Sequence, residues 1–298
     1  MKGADNIACT QCGGMATLLF EARDIHRKVT DESFAYYRCG NCGLVLVWPV
    51  PANLARYYPP NYHPIPRSLE ELLQGKQHED FKLQAIGQGG RGRRLLEIGP
   101  SYGRFAALAK RAGFDVRAIE MDPDCCRFLE NVVGIPVHLS ADVRGTLAGL
   151  ERFDVIALWH SLEHLPDPWS VLDALPAHLE RGGSVAIATP NPQSSQFRLF
   201  GSHWVHLDAP RHLTLIPYTV LESRLAKYGM RRAHFSSRDQ GALDCNLLGW
   251  FASSMTFLPQ WMQRKPFTSM AWRLSRVFAK LDERDPYGST YTIVFSKP

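Results

Sequence analysis

The sequence has no apolar run of the roughly 20 residues needed to span a bilayer, and its opening residues lack the apolar stretch of a secretory signal. The most apolar candidate, residues 247–258, is broken by Gly249 and by Ser253. No block of Lys or Arg is present, and the formal net charge is only +5, with an isoelectric point near 8.8. We therefore expect a cytoplasmic protein without a transmembrane segment. The mild charge permits an acidic substrate but does not favour nucleic acid as a partner.

The sequence contains seven cysteines among its 298 residues. Four of the seven form two Cys-x-x-Cys pairs, each followed by glycine: Cys9 and Cys12, Cys39 and Cys42. Without a secretory signal, paired cysteines bind metal more often than they form disulfides, and four thiolates suit tetrahedral Zn²⁺. The long spacer between the pairs predicts a hairpin over residues 21–37. We predict a zinc-ribbon-like module over residues 1–48 whose metal is structural, with iron as the alternative metal.

The chain after this module divides at a proline-rich stretch. Residues 49–90 predict a stiff linker with a short helix over residues 67–86. From residue 91 to 298, short apolar runs alternate with segments of helical pattern, and insertions are expected at residues 190–216 and 240–287. Such alternation predicts an α/β fold with a parallel sheet that is covered by helices on both faces. The predicted strands are residues 94–98, 115–120, 136–139, 153–159, 184–189, 232–235 and 291–295.

A glycine-containing loop follows the first of these strands and leads directly into a helix. Its residues are Glu97, Gly99, Pro100, Ser101, Tyr102 and Gly103. A dinucleotide site would need Gly-x-Gly-x-x-Gly, but Ser101 and Arg104 replace two of the glycines. The acid at residue 97 suits a ligand with positive charge, and S-adenosylmethionine carries an ammonium and a sulfonium but no phosphate. Glu120, at the end of the next strand, can accept hydrogen bonds from ribose hydroxyls. The alternative is a tight turn without a ligand.

Together these motifs resemble the class I S-adenosylmethionine-dependent methyltransferases, in the bacterial branch similar to ubiquinone-type O-methyltransferases and sugar methyltransferases. The resemblance covers about residues 90–235 and rests on the following segments: Glu97-x-Gly99-x-x-x-Gly103, Glu120, Phe153-Asp154-Val155-Ile156, Glu163-His164, Asp167-Pro168, Gly182-Gly183 and Thr189-Pro190-Asn191. It implies a Rossmann-like sheet of seven strands, with the last strand antiparallel and inserted beside the fifth. Ser101 departs from the glycine that the family often has there.

The resemblance also implies further contacts to the cofactor. Met121 would flank the adenine, and Asp142 could meet its exocyclic amine, although a surface-loop acid is an equal alternative. Trp159 ends the fourth strand of the sheet and is included among the cofactor-binding residues.

The loop after the fourth strand carries two histidines and an acid. Methyl transfer requires the enzyme to position the acceptor and remove its proton, and histidine suits that role near neutral pH. His164 is the first choice for a general base and His160 the second. The resemblance to O-methyltransferases, in which such a Glu-His pair can lie near a divalent cation, also implies that Glu163 could bind one. The alternative is that Glu163 and His164 brace the loop by hydrogen bonds.

A second polar cluster follows the fifth strand of the sheet: His203, Trp204, His206, Asp208, Arg211 and His212. We interpret it as the wall that faces the acceptor, with Arg211 able to hold a carboxylate or phosphate. The alternative is an insertion that is braced by its own polar contacts, since such residues are costly to bury unless they are paired.

The sequence thus predicts methyl transfer from S-adenosylmethionine to a small or carrier-linked acceptor, such as a sugar or another secondary metabolite. One alternative is an RNA methyltransferase whose zinc ribbon binds nucleic acid, and another is a binding module without catalysis. The aromatic segment over residues 247–262 predicts a core helix, with a lid, an oligomer contact or a peripheral membrane contact as alternatives. The sequence does not predict the oligomeric state.

Overall fold

The computed structural model describes residues 5–59, 62, 64–74, 79–87, 89 and 92–298. The chain divides into two compact units. The first comprises Met1–Pro59, Thr189–Leu221 and Ser236–Tyr291, and the second comprises Pro60–Ala188, Glu222–Phe235 and Thr292–Pro298. Each unit has a sheet and a hydrophobic core of its own.

The described residues form twelve strands and ten α-helices. The strands are β1 Asn6–Ala8, β2 Met15–Arg23, β3 Ser33–Cys39, β4 Val45–Val47, β5 Arg94–Ile98, β6 Asp115–Glu120, β7 Val137–Leu139, β8 Phe153–Trp159, β9 Leu179–Pro190, β10 Thr214–Leu215, β11 Arg231–Ser236 and β12 Thr290–Ser296. The helices are α1 Leu69–Leu73, α2 Asp80–Gly87, α3 Arg104–Arg111, α4 Pro123–Phe128, α5 Val143–Leu147, α6 Pro168–Ala174, α7 Ser195–Phe200, α8 Tyr218–Ala226, α9 Gln240–Met255 and α10 Phe267–Ala279.

The first unit is built on a five-stranded sheet in the order β1-β2-β3-β4-β10. Its strand pairs are antiparallel, and β2 and β3 form the long hairpin that the spacing of the cysteine pairs predicted. The core combines Tyr36 and Val45 with Phe197, Trp204 and Leu215 from much later in the chain. A cysteine module of this size can bury little apolar surface alone, so residues 189–221 complete its core. Residues 1–48 and 190–216, predicted in different domains, thus lie in one compact unit.

The second unit contains a seven-stranded sheet in the order β11-β12-β9-β8-β5-β6-β7. The pairs from β5 to β9 are parallel. β12 lies between β9 and β11. The Lys297 amide donates to the Gly183 carbonyl, and the Asn191 amide donates to the Ser289 carbonyl. The end of β12 is thus paired near the start of β9 and its start near the end of β9, so the two strands are antiparallel. The predicted fold class is therefore confirmed, including the inserted last strand. Strand β8 is buried along almost its whole length, as expected for a central strand with helices on both faces.

The segment before the first parallel strand differs from its prediction. Instead of one helix over residues 67–86, the structure has α1 and α2, and residues 75–78 lie outside the described part. Helix α1 begins at a Ser68 cap whose hydroxyl accepts from the Glu71 amide, which is a local start signal for a short helix. No helix in the described ranges is long and apolar enough to cross a membrane.

Candidate functional site

The loop between β5 and α3 has a backbone that only small residues adopt easily. Gly99, Ser101 and Gly103 all have positive φ, at 72°, 55° and 77°. A Cβ at Gly99 would lie 2.7 Å from the Cβ of Ser161, whose hydroxyl donates to the Ile98 carbonyl at 2.7 Å. Glycine at residue 99 is therefore required both by its backbone conformation and by the loop after β8.

Glu120 joins this loop to the end of β6. Its carboxylate accepts backbone hydrogen bonds from Ser101 at 2.8 Å, Met121 at 2.7 Å and Asp122 at 2.9 Å. Burial raises the pKa of Glu120, and these three N–H donors oppose that rise. The carboxylate thus lies beside the loop, and its role as an acceptor for ribose hydroxyls stays a prediction.

Glu97 is the most strongly perturbed acid of the loop. It is only 3% exposed, and burial raises its pKa to about 8, while the charge of Lys82 acts in the opposite direction. Its Oε2 atom is buried and accepts no hydrogen bond from the described residues. A buried carboxylate oxygen of this kind is costly unless a donor reaches it, so the position is suited to a cationic ligand group.

Lys82 is a member of this site that the sequence analysis missed. Its ammonium lies 3.1 Å from the Glu79 carboxylate, 5.7 Å from the centroid of the Phe105 ring and 5.3 Å from that of Trp159. The Nε1 of Trp159 is also buried and donates to no atom of the described residues. No motif marks Lys82, because α2 precedes the loop along the chain and approaches it only in the folded unit.

The other predicted cofactor residues occupy different environments. Met121 is 56% exposed, so its side chain is available to a ligand, whereas Pro100 is buried and Tyr102 packs against the core of the second unit. The Ser101 hydroxyl is buried without a hydrogen-bond partner among the described residues. Asp142 caps α5 by accepting from the Gly145 amide at 2.9 Å, which supports its alternative role as a structural acid of the surface loop.

The loop after β8 brings its histidines and acid close together. His160 has a positive φ of 53°, and its Nδ1 lies 3.4 Å from Oε1 of the fully buried Glu163. His164 ends a 3₁₀ turn, Leu162–His164, and is half-buried. This arrangement is compatible with a positioned base and also with a braced loop, so the catalytic roles of these three residues remain predictions.

The polar cluster over residues 203–212 lies in the first unit and is largely paired within it. The side chain of Arg211 is fully buried and contacts Asp24 at 2.6 Å and Asp208 at 2.9 Å. Despite its burial, Asp208 has a pKa lowered to about 2, mainly by its hydrogen bonds with Arg211. Trp204 is buried and donates to Gln196 at 3.2 Å. This geometry favours the braced insertion over a grip on the acceptor by Arg211.

The histidines of that cluster also have contacts inside the first unit. A ring nitrogen of His206 lies 2.9 Å from the Cys245 carbonyl, and one of His212 lies 2.8 Å from the His206 carbonyl. The ring of His203 lies against that of Phe257, with centroids 4.6 Å apart. Their roles toward an acceptor remain predictions.

The four paired cysteines meet in one cluster, with all four Sγ atoms within 4.8 Å of one another. The Cys9 and Cys42 sulfurs are 3.7 Å apart, and those of Cys12 and Cys39 are 3.5 Å apart. Sulfurs at about 2.3 Å from a tetrahedral Zn²⁺ would be separated by about 3.8 Å, so the donor set fits this ion. Backbone N–H groups that turn toward Cys39 lower the pKa of its thiol to about 7 against the effect of burial.

Residues 68–233, more than half of the chain, match the family described as "Methyltransferase domain". The "Ubiquinone biosynthesis O-methyltransferase" of Bordetella avium (strain 197N) is 29% identical over 153 residues, which cover 48% of this chain and 63% of that protein. The protein of the same name from Hahella chejuensis (strain KCTC 2396) is 30% identical over 128 residues, which cover 40% and 53%. The chain therefore spans between about half and two thirds of the length of these relatives.

A solved structure is also similar. The "SAM dependent methyltransferase from Archaeoglobus fulgidus" aligns with a TM-score of 0.49 and 20% identity over 72% of this chain and 91% of that one.

The family match includes the loop from Glu97 to Gly103, Glu120 and the loop after β8, and the sheet has the strand order that the resemblance implied. This chain therefore belongs to the methyltransferase-domain family, and its predicted membership in the class I S-adenosylmethionine-dependent methyltransferases is confirmed.

Proposed function

We propose that this protein transfers a methyl group from S-adenosylmethionine to a small or carrier-linked acceptor. The observation that carries the proposal is the buried Glu97 carboxylate, whose Oε2 accepts no hydrogen bond from the described residues and lies beside a loop joined to Glu120. Family membership supports the reaction class, and the names of the ubiquinone-biosynthesis relatives support O-methylation of a small molecule.

The charges around the loop match the two ends of an amino acid. Glu97 would accept hydrogen bonds from the α-ammonium group of the cofactor. The Lys82 ammonium and the buried Trp159 Nε1–H would donate to the α-carboxylate of the cofactor. The two donors are neighbours, because the ammonium lies 5.3 Å from the centroid of the Trp159 ring. Glu120 would hold the ribose hydroxyls, and the exposed Met121 would lie against the adenine.

The reaction needs little covalent chemistry from the protein. S-adenosylmethionine, when bound, supplies an electrophilic methyl group on its sulfonium. The chain's own task is to hold the acceptor in line with that methyl and to take the proton from an acceptor hydroxyl. His164 is the proposed base and His160 the second candidate, with Glu163 positioned 3.4 Å from the His160 ring to stabilise its protonated form.

The test is a pair of calorimetric titrations with adenosylhomocysteine and with methylthioadenosine, which lacks the amino-acid end. We expect the chain to bind both ligands, and Glu97→Gln to weaken only adenosylhomocysteine. Glu180→Gln is the control, since this acid is half-exposed and pairs with Arg94 away from the loop. Absence of adenosylhomocysteine binding, or an equal loss for both ligands, would contradict the proposed arrangement.

For the cysteine cluster we propose a structural Zn²⁺ ion. Four thiolates occupy all tetrahedral positions, which leaves no open position for a substrate or a catalytic water. The ion would hold together the turns that begin at Cys9 and Cys39.

A further inference from the structure

Helix α10 and the segment before it have an unusual concentration of exposed apolar side chains. Nine of the eighteen large apolar residues that are exposed in the described part of the chain lie between Leu248 and Leu281. A contiguous exposed apolar patch on a folded protein usually marks an interaction surface.

The apolar side chains form a stripe on α10 and the turn after it. Met270, Leu274, Val277 and Leu281 are 55%, 50%, 63% and 61% exposed, and their spacing of four, three and four residues places them on one helix face. A different face holds the helix in the first unit, where Ser275 and Ala279 are buried. The stripe is therefore not the face that α10 uses for its own packing.

Cations flank this stripe, and the first acids after its end are the buried Asp282 and the exposed Glu283. Arg264, Lys265, Arg273, Arg276 and Lys280 are exposed, and residues 245–281 contain no Asp or Glu. At 100° per residue, Arg273, Arg276 and Lys280 lie in one row beside the apolar stripe. Within the described ranges, none of the five has a carboxylate within 4.0 Å.

We propose that α10 and the preceding segment from Trp261 form a peripheral docking surface for an anionic lipid bilayer, which does not depend on the proposed methyl transfer. An apolar stripe beside a row of Lys and Arg is the pattern of helices that lie in the plane of a membrane interface. The 64% exposed Trp261 adds a side chain that favours the headgroup region. The stripe would enter the acyl boundary while the cations bind lipid phosphates.

The charge pattern also distinguishes this partner from two others. A twofold contact between copies of this face would bring two groups of five cations together, which is unfavourable. A nucleic acid would satisfy the cations, but the stripe itself is aliphatic and offers no ring for base stacking. The exposed rings of Trp272 and Phe278 already pack against Phe251 and Trp250. A bilayer with anionic headgroups satisfies both parts of the surface.

The experiment is flotation of the full chain with vesicles of phosphatidylcholine alone or mixed with phosphatidylglycerol. We expect binding to the mixed vesicles only, with a loss on addition of salt. The double substitution Arg273→Glu and Arg276→Glu should lower binding by about 25-fold or more, since each cation contributes about fivefold. Leu274→Ser with Val277→Ser should also lower it.

Matched controls separate this surface from general charge and from misfolding. Arg144→Glu with Lys227→Glu makes the same charge change at exposed positions elsewhere, and Leu199→Ser changes another exposed apolar residue. These controls should bind as the native chain does, and all variants should keep the native circular dichroism and methylthioadenosine affinity. Equal binding to both vesicles, no binding to either, or a concentration-dependent dimer that the Arg substitutions abolish would overturn the proposal.

Discussion

The backbone N–H of Ser101 donates to the carboxylate of Glu120 at 2.8 Å, so the glycine-containing loop is held to the end of the next strand. We expect Glu120→Gln to destabilise the fold by about 1–3 kcal/mol, because an amide nitrogen would face N–H donors that need an acceptor. The affinity for methylthioadenosine should fall as well. Chemical denaturation and calorimetry measure the two effects, and Glu130→Gln, at an exposed position, is the control. Unchanged affinity would remove Glu120 from the adenosine site.

Gly99 and Gly182 have the same φ of 72°, but only Gly99 is crowded. Gly182→Ala should cost only the strain of a left-handed residue, about 1–2 kcal/mol. Gly99→Ala should cost more, because its Cβ would meet the side chain of Ser161 at 2.7 Å. It should also weaken binding of adenosylhomocysteine. The measurement compares the urea midpoints of the two variants. Equal midpoints would show that the loop accommodates the added Cβ without a further loss of stability.

The raised pKa of Glu97 predicts that cofactor binding is coupled to a proton. Its pKa is about 8 in the folded chain, so the carboxyl is mostly protonated at pH 7. An ammonium group that binds there favours the ionised form and should release about one proton. Titration of adenosylhomocysteine in buffers of different ionisation enthalpy measures this number. Glu97→Gln should abolish the proton release. A binding enthalpy of the native chain that is the same in all buffers would contradict the prediction.

The same pKa predicts how Glu97 affects stability. A carboxyl whose folded pKa lies above its ordinary value binds its proton more tightly when folded, so its contribution falls as pH rises from about 4.5 to 8. We expect Glu97→Gln to gain stability relative to the native chain over this window. Denaturation midpoints at pH 5 and pH 8 test it, and a constant difference between the two chains would contradict it.

The buried group of Arg211, Asp24 and Asp208 predicts a large structural effect. Arg211→Met should destabilise the first unit by about 3–5 kcal/mol, because it removes the buried cation from Asp24 and leaves Asp208 only the half-exposed Arg27. Arg56→Met removes a cation from an exposed pair with Glu32 and should cost about 1 kcal/mol or less. If Arg211→Met instead folded with native stability and lost only acceptor affinity, the role in substrate binding would regain support.

The cysteine cluster predicts one zinc ion per chain by elemental analysis. Cys39→Ser should lose the ion and lower the melting temperature, because the metal site stabilises the folded module. Cys245→Ser, which alters a half-buried cysteine outside the cluster, should retain the ion. Iron with a visible absorption spectrum would identify the alternative metal, and a metal-free native chain would contradict the prediction.

Several features of the fold followed from local sequence patterns. Strands β5, β6 and β8 have the predicted bounds of residues 94–98, 115–120 and 153–159. Short apolar runs bounded by Gly, Pro and polar residues carry that information within a few positions. The two Cys-x-x-Cys turns are local in the same way, because two cysteines at this spacing can place both sulfurs on one ion.

Other features were decided only by tertiary structure. Lys82 reaches the rings of Phe105 and Trp159 because α2 packs in the second unit, and no spacing along the chain encodes that approach. The pairing of Arg211 with Asp24 joins positions 187 residues apart, so no local pattern indicated that this cation is buried and paired. The sequence by itself determined the seven strands of the second unit's sheet, the glycine-containing loop and the family. Long-range packing decided which charged groups are buried and paired, because the cost of burying a charge depends on neighbours that only the fold supplies.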